Sequence, residues 1–329
     1  MEPAAAALLD WLSSPENPPV RYLTAVEFGT LEPDQLEGLR CRAANWPPLQ
    51  EVLARQQHDG SFPSGQKTPT AQPTFSAICL MQRCGMSIAD PPVRRAVTYL
   101  EENHLSKGAL SYTSGGSGVL PCYLGVVTSA LIKMGGADSA IAQTSLSWLV
   151  DHQRFDHKET RAGGDAVWPY RAPQNYGCWD SVSCYHGVAG ALRAFAALPP
   201  EHRSPQVQAR LDQAVDYLRI HRLYRKTSTG APLFRHMTEF FLIGDYRSHL
   251  LDLLEAVAEA DPNLADEDWV ADALDDVRGL TVDGRVPLVK NYGRKLAYPL
   301  PVEPVGEPSR FLTLQWLKTL RAFDRPIAA

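Results

Sequence analysis

Two cysteines and one histidine have the residue types and the placement of metal ligands. Cys122 and Cys184 each stand in the predicted first turn of a buried helix, where thiolates are favoured. His221 ends the helix after that of Cys184, so we expect it to return to the same end of the fold. Two thiolates and one imidazole, with a fourth position open, are typical of a catalytic zinc site. The alternative is that the cysteines are small apolar core residues.

Four further side chains are candidates for proton transfer. Asp180 precedes the helix of Cys184 and could be a general acid, although a helix N-cap is the simpler role. His186 lies two residues after that cysteine. His236 and Glu239 are three residues apart, which would place them on one face of a helix as an acid–base pair or as an ordinary packing pair.

Aromatic and basic residues provide candidate substrate contacts. The segment 163–186 is rich in aromatic residues, whose faces suit apolar or cationic molecules. The candidates in and near it are Tyr123, Trp168, Tyr170, Tyr176, Trp179 and Tyr185. Tyr292 and Arg310, with Arg294 and Lys295, could bind an anion. A solvated basic loop is the alternative for this last group.

Helices of two kinds must position these residues. Amphipathic helices with one polar side are predicted at 49–57, 93–100, 139–153, 207–218 and 270–277. Between them come helices that are apolar on most faces and therefore buried, at 74–83, 122–134, 182–198, 246–258 and 311–323. No βαβ unit is found. The alternation predicts an all-α repeat fold, which could be a straight solenoid or a closed ring.

The connections that lead from outer to inner helices are long. They occupy 58–73, 104–120, 154–181, 223–245 and 279–308. In stacked helical hairpins they all emerge at one end, and long loops in compact folds are often functional. The N-termini of the inner helices lie at the same end and favour an anionic group there. The alternative is that the long loops only close the ring.

Composition excludes several classes of protein. The chain of 329 residues has a net charge of −5 and a pI of about 6.0, which disfavours a nucleic-acid-binding protein. No apolar run reaches the roughly 18 residues of a membrane span. The N-terminus lacks the basic region of a signal peptide, so the six cysteines are expected to be reduced thiols of a cytoplasmic protein.

Several short motifs carry a family resemblance. They are the Gln-x-x-Asp-Gly-x-Phe turn at 56–62, PCYLG at 121–125, SCYHG at 183–187 and PSRFLTL at 308–314. The chain resembles the prenyltransferase and squalene-cyclase repeat superfamily, in particular its small bacterial members, over residues 11–323. The resemblance implies one α/α-toroid domain over 1–329. In it, a helical hairpin at 4–45 precedes repeat helices at 46–325, and a cavity lies at the centre of the ring.

The characteristic catalytic motifs of this superfamily are matched only in part. Neither 266–268 nor 275–276 has the Asp-x-Asp-Asp of class II terpene cyclases, and no aspartate stands two residues before Cys122, as in zinc prenyltransferases. Lanthionine cyclases, which are also α/α toroids, have an adjacent Cys-His pair, whereas here Tyr185 separates Cys184 from His186.

Three functions follow from these observations. The first is an enzyme that acts on an isoprenoid, or on a similar apolar or amphiphilic small molecule with an anionic head group. Its catalysis would be by an acid or by zinc as a Lewis acid. The second is a zinc and thiol enzyme of the lanthionine-cyclase kind acting on a peptide. The third is a non-catalytic binding scaffold. The oligomeric state stays open.

Overall fold

The computed structural model describes residues 3–64, 70–106, 108–113, 118–156, 183–292 and 303–327. Nearly all regular structure in these ranges is α-helical, which confirms the all-α prediction. The helices are α1 (Pro3–Leu12), α2 (Pro18–Phe28), α3 (Pro33–Ala44), α4 (Pro47–Leu53), α5 (Gln72–Arg83), α6 (Pro91–Asn103), α7 (Pro121–Leu131), α8 (Ala140–His152), α9 (Tyr185–Ala196), α10 (Pro205–Ile220), α11 (Leu250–Ala260), α12 (Asp268–Leu280) and α13 (Arg310–Ala322). Strands β1 (Leu105–Ser106) and β2 (Ala109–Leu110) form a small antiparallel hairpin, with Leu105 opposite Leu110. Within these ranges, no helix has the length and apolar character needed to cross a bilayer.

Buried and half-exposed helices alternate along the chain, as the hydrophobic pattern predicts. Every residue of α7 is buried, and in α9 all but His186 and Arg193 are buried. By contrast, α6 buries a single stripe that includes Val93, Val97 and Leu100. The helices α5, α7, α9, α11 and α13 are therefore the inner ones, and each contacts the next.

Polar caps and prolines fix where the outer helices begin. Ser139 and Ser204 accept backbone N–H bonds from the first turns of α8 and α10, which satisfies donors that a helix start leaves unpaired. Asp261 and Pro262 do not begin an outer helix in this way. There the proline opens a short 3-10 turn, Pro262–Asp266, and α12 begins after it.

Glycines allow the inner helices α7 and α9 to pack closely. A Cβ atom on Gly125 would lie 2.1 Å from the backbone of Gly190, and one on Gly190 would lie 2.9 Å from the Cys122 carbonyl oxygen. Such distances permit only hydrogen at these positions. The close contact sets the N-terminal turns of the two helices side by side, and these turns carry candidate site residues.

The fourth inner helix begins later than the sequence pattern predicts. The predicted helix 246–258 starts instead at Leu250, because Asp245 has a left-handed backbone (φ 57°) and His249 is the N-cap. The Nδ1 of His249 accepts the Asp252 N–H at 3.2 Å, while the Asp252 carboxylate accepts the His249 N–H at 3.2 Å. Residues 240–248 consequently form a non-helical stretch with a buried apolar start, which we call the buried segment.

A buried carboxylate joins four of the inner helices. Asp252 of α11 accepts hydrogen bonds from Arg83 of α5 and from Gln315 of α13, both at 3.1 Å. Arg193 of α9 lies 3.7 Å from the same carboxylate. The charges of His249, Arg193 and Arg83 hold the pKa of Asp252 well below its ordinary value, although its burial acts in the opposite direction. We call this group the Asp252 hub.

The N-terminal region packs against the last helix. Residues 4–45 hold three helices where the sequence analysis expects a hairpin of two, and α2 packs against both α3 and α13. One continuous cluster of buried apolar side chains extends from Leu8 to Phe323. The assignment of a single domain with a closed ring stays a prediction.

We expect Gly125→Ala to lower the free energy of unfolding by about 3 kcal/mol, because backbone atoms of α9 cannot rotate away from the added methyl group. Gly279→Ala is the matched control. It also lies in a helix, but its Cβ would have no neighbour within 4 Å, so the change should stabilise by about 0.5–1 kcal/mol. Urea unfolding measures both. A Gly125→Ala protein as stable as wild type would contradict the close contact.

Acid should destabilise the fold through His249. Burial lowers its pKa from 6.5 to about 4, assisted by Arg83 and Arg193 and opposed by Asp252. Between pH 6.5 and pH 4, His249 binds a proton more readily in the unfolded chain than in the folded protein. The free energy of unfolding therefore falls as the pH drops from 6.5 to 4, by roughly 3 kcal/mol from this group. The contribution of Asp252 is lost only at lower pH, because its pKa is depressed below an ordinary carboxyl value.

His249→Asn keeps an N-cap acceptor but removes this titration. We expect its free energy of unfolding to vary less between pH 6.5 and 4 than that of wild type. Urea unfolding at a series of pH values measures the difference. His58→Asn, at an exposed position, is the control and should follow wild type. Identical pH profiles for wild type and His249→Asn would show that His249 is not the acid-sensitive group.

Candidate functional site

Five rings meet beside the first turn of α9. They belong to Tyr185, His186, Phe234, His236 and Tyr246, and we call them the aromatic–histidine cluster. The ring of His186 stacks on that of Phe234 (centroids 4.6 Å apart) and on that of His236 (5.2 Å). Tyr246 meets His186 edge-on at 5.3 Å. The result is a compact group of rings that includes two imidazoles.

Three parts of the chain supply this cluster. Tyr185 and His186 are the first residues of α9, set by the contact of that helix with α7. Phe234 and His236 flank and enter a 3-10 turn, Arg235–Met237, which is anchored by the buried Met237. Tyr246 belongs to the buried segment.

The two histidines are neutral at physiological pH. Burial, followed by the charges of His236 and Arg247, lowers the pKa of His186 to about 3. Burial, followed by the charges of Arg247 and His249, lowers the pKa of His236 to about 4. The Nδ1 of His186 and the Nε2 of His236 are buried and have no hydrogen-bond partner among the described residues. Buried polar atoms are normally paired. These two nitrogens are among several exceptions in the described residues, and they belong to rings that stack on each other.

A row of further aromatic rings extends from the cluster. Tyr123, in the first turn of α7, packs against Tyr246 at 5.3 Å, Tyr112 at 5.0 Å and Phe75 at 6.1 Å. Burial raises the pKa of Tyr123 above its ordinary value, so its hydroxyl stays protonated. We call this row the aromatic wall; Tyr123 and Phe75 in it are almost fully buried.

Arg247 borders the cluster on its charged side. Its guanidinium carbon lies 4.4 Å from the ring centre of Tyr246 and 4.7 Å from that of Tyr292. The ring of Tyr292 is in turn held edge-on by Phe241 at 4.9 Å. The nearest carboxylate partner of Arg247 is Asp245, at 3.9 Å, and Asp245 accepts the Ser76 hydroxyl at 3.2 Å.

A polar cavity lies between the inner helices next to this arginine. Its volume is about 50 Å³. Its charged lining residues are Arg83, Lys133, Arg193, Asp245, Arg247, Asp252 and Glu255. Most of these charges pair with one another, as Lys133 does with Glu255 at 3.3 Å. The cavity thus has the polarity of an ion-pair network, and the apolar surface lies at the aromatic rings.

The predicted zinc ligands are not brought together as a set. Among the described residues, no group of three His, Cys, Asp or Glu side chains is placed to hold a metal ion, although Cys122, Cys184 and His221 are all described. The Nδ1 of His221 is paired with the Arg225 carbonyl oxygen at 3.1 Å, and its ring packs on Tyr217. These three residues as placed do not fit a zinc ion, and zinc binding stays a prediction.

The expected His236–Glu239 pair does not form as a helical pair. The 3-10 turn ends at Met237, so the two residues do not share a helix face. The Glu239 carboxylate instead pairs with Arg235 at 2.7 Å and with Lys290 at 3.2 Å, and it accepts the Tyr292 hydroxyl at 3.4 Å. Glu239 therefore forms ion pairs beside the site, and the ring of His236 stacks on that of His186 instead.

The remaining predicted residues divide into three groups. Tyr123, Tyr185 and Tyr292 lie in or beside the cluster, as expected of substrate-binding candidates. Arg310 lies elsewhere: it pairs with Glu16 and stacks on Trp11 at 4.8 Å, so it joins α13 to the N-terminal helices. Outside the described residues lie Trp168, Tyr170, Tyr176, Trp179, Asp180, Arg294 and Lys295.

Sequence reasoning did not assign Phe234, Tyr246 or Arg247 to the site. Their signal was the dense run of aromatic and charged residues at 234–247, which lies on a long connection predicted to reach the functional rim. Tyr112, Phe234 and Tyr292 come from three different long connections and contact Tyr123, His186 and Arg247, respectively. The convergence of all five connections on one rim stays a prediction.

Comparison with known proteins gives no assignment: no family model matches the chain, and neither does any curated protein. The resemblance to the prenyltransferase and squalene-cyclase superfamily therefore stays a prediction.

The zinc prediction can be measured directly. If Cys122 and Cys184 bind zinc, protein purified without added metal contains about one zinc ion per chain, and the Cys122→Ser/Cys184→Ser double variant loses it. The control is Cys41→Ser, at an exposed position. Elemental mass spectrometry gives the zinc content. Zinc that persists in the double variant would contradict these ligands.

Proposed function

We propose that the protein is an enzyme that binds an apolar or amphiphilic small molecule against the aromatic–histidine cluster and transfers a proton during its conversion. The observation that carries this proposal is the adjacency of His186 and His236, each with a buried nitrogen that has no partner in the described part of the chain. Leaving such atoms unpaired costs free energy. A ligand that pairs with them recovers that free energy.

The surroundings of the two histidines favour chemistry through a cationic intermediate. Faces of aromatic rings stabilise positive charge, and the ring of Tyr246 contacts the imidazole of His186 and in turn packs on Tyr123. A carbocation is a far stronger acid than imidazolium. An imidazole whose pKa is lowered to about 3 or 4 therefore still accepts its proton.

The corresponding step completes the isomerisation of an isoprenoid-like substrate. A C–H bond next to the cationic carbon breaks, its electron pair forms the new double bond, and the proton goes to an imidazole nitrogen. Asp180 is the predicted acid that would generate the cation by protonating a double bond. Under this proposal the enzyme is an isomerase.

The helix arrangement is compatible with an α/α toroid around this site. Each inner helix contacts the next, from α5 through α7, α9 and α11 to α13, and α13 packs on α2 near the beginning of the chain. We propose that the N-terminal helices complete a ring. Such a ring would place the first turns of α7 and α9 at its rim.

A non-catalytic binding protein is the second candidate. It is favoured by the space between the inner helices, which is occupied in part by the Asp252 hub and by the buried segment, with Phe240 and Phe241 almost fully buried. In that case the two imidazoles would recognise a ligand without acting on it. The peptide-directed zinc and thiol enzyme depends on the zinc measurement described above.

The double variant His186→Asn/His236→Asn tests proton transfer. We expect it to bind prenyl alcohols about as well as wild type, because the aromatic wall is intact. Conversion should fall at least about a hundredfold, because asparagine cannot act as the base. Binding is measured by quenching of intrinsic fluorescence, and products by gas chromatography with mass spectrometry after incubation with prenyl alcohols and diphosphates. His202→Asn, at an exposed position, is the control.

Each outcome separates the candidates. Conversion at the wild-type rate by the double variant would contradict the role of the histidines. Binding without conversion by wild type and both variants would favour the binding protein. If neither wild type nor Tyr246→Leu binds any of the probes, the assignment of the site is contradicted.

A further inference from the structure

Arg247 is held by stacking on aromatic rings, whereas the other two arginines of the cavity, Arg83 and Arg193, are held by hydrogen bonds. Its guanidinium is stacked over two tyrosine rings, at 4.4 Å from Tyr246 and 4.7 Å from Tyr292. Both rings are themselves fixed, Tyr246 by His186 and Tyr292 by Phe241. Stacking on fixed rings immobilises the plane of the guanidinium but pairs none of its N–H groups.

In the described part of the chain, the side-chain N–H donors of Arg247 make no hydrogen bond. Its nearest carboxylate oxygen, on Asp245, is 3.9 Å away, beyond hydrogen-bond distance. Arg83, in the same cavity, donates through all three of its nitrogens, to Leu242, Gln315 and Asp252. For the Arg247 side chain, the described ranges contain no hydrogen bond, and a quarter of it is exposed (25%). A guanidinium has five N–H donors in a planar fork.

Competing acceptors near Arg247 are engaged elsewhere. Glu239 is held by Arg235 and Lys290. Asp245 accepts the Ser76 hydroxyl, so its carboxylate is directed in part toward α5. The positive charge of Arg247 also contributes to the lowered pKa of both His186 and His236. The guanidinium thus sets a positive potential at the edge of the aromatic–histidine cluster.

From this geometry we infer that Arg247 binds the anionic head group, a phosphate or a carboxylate, of the molecule that occupies the cluster. The inference rests on the proposed function and names the class of its substrate. A planar fork with unpaired donors matches the two oxygens of either anion. Because Tyr246 contacts both Arg247 and His186, the head group on Arg247 places the apolar chain of an amphiphile over the imidazoles.

The test compares three probes with the same alkyl chain: decyl phosphate, decanoate and decanol. Isothermal titration calorimetry measures their affinities for wild type and for Arg247→Met, Arg247→Lys and Arg235→Met. Arg235 is the matched control, since it is a neighbouring arginine whose side chain is 91% exposed and pairs with Glu239. Decanol affinity reports whether each variant retains the apolar site.

We expect wild type to bind at least one anionic probe about ten- to a hundredfold more tightly than decanol, the range of a charged hydrogen-bonded contact. Arg247→Met should abolish this preference while decanol affinity stays within about threefold. Arg247→Lys should keep part of it, and Arg235→Met all of it. The anionic probe whose affinity exceeds that of decanol by the larger factor identifies the head group as phosphate or carboxylate.

Two results overturn the inference alone: equal binding of the three probes by wild type, or an anion preference that survives in Arg247→Met. In both cases decanol still binds, and the proposed function stands. If none of the three probes binds to wild type, the proposed function and the inference fail together.

Discussion

The buried carboxylate of Asp252 is the interaction on which the arrangement of the inner helices depends. An isolated charge in a protein interior is costly, so each partner of this carboxylate must stay in place. Its partners Arg83, Arg193 and Gln315 come from three other inner helices. Displacement of any one of these helices would leave the carboxylate or a guanidinium unpaired. The hub therefore specifies the relative positions of four helices more narrowly than apolar packing alone.

The same hub also fixes the buried segment that carries part of the site. The Nε of Arg83 donates to the Leu242 carbonyl oxygen at 3.1 Å, and the Nε2 of His249 pairs with the Phe241 carbonyl oxygen at 3.0 Å. A non-helical buried stretch needs such partners, because its backbone groups are not paired with one another. Tyr246 and Arg247 follow directly in the chain, so their backbone is held in place as well. Site and helix framework are consequently one hydrogen-bonded unit.

The sequence predicted the helices well and the site only in part, for physical reasons. The apolar stripe of α6 and the all-round apolar character of α7 report burial directly, because helix period and burial are local properties. The late start of α11 was missed because residues 246–249 contain neither glycine nor proline to mark a helix boundary, while Asp245 and the His249 cap interrupt the helix. Likewise, a spacing of three suggested His236 and Glu239 as a pair, but it assumed a helix that ends at Met237. The stacking of Arg247 on Tyr292 joins residues far apart in the chain, and local spacing contains no information about it.

The hydrogen-bond partners of the buried polar groups separate those that hold the fold together from those proposed to bind a ligand better than burial or charge does. His186, His236 and His249 all have a pKa lowered by burial. Both ring nitrogens of His249 have backbone partners, as expected of a residue that holds the fold together. His186 and His236 each keep a buried nitrogen without a partner in the described ranges.

The arginines divide in the same way. All three nitrogens of Arg83 donate to protein acceptors, whereas Arg247 is held by stacking and makes no side-chain hydrogen bond to the described residues. Unpaired capacity in otherwise fixed side chains is what a binding site requires, because the ligand then gains hydrogen bonds without the cost of ordering the protein. His186 and Arg247 both contact Tyr246, and His236 stacks on His186, so the three side chains lie close together. The paired groups around Asp252 hold the helices in place, so the unpaired donors and acceptors of the site stay available to a ligand.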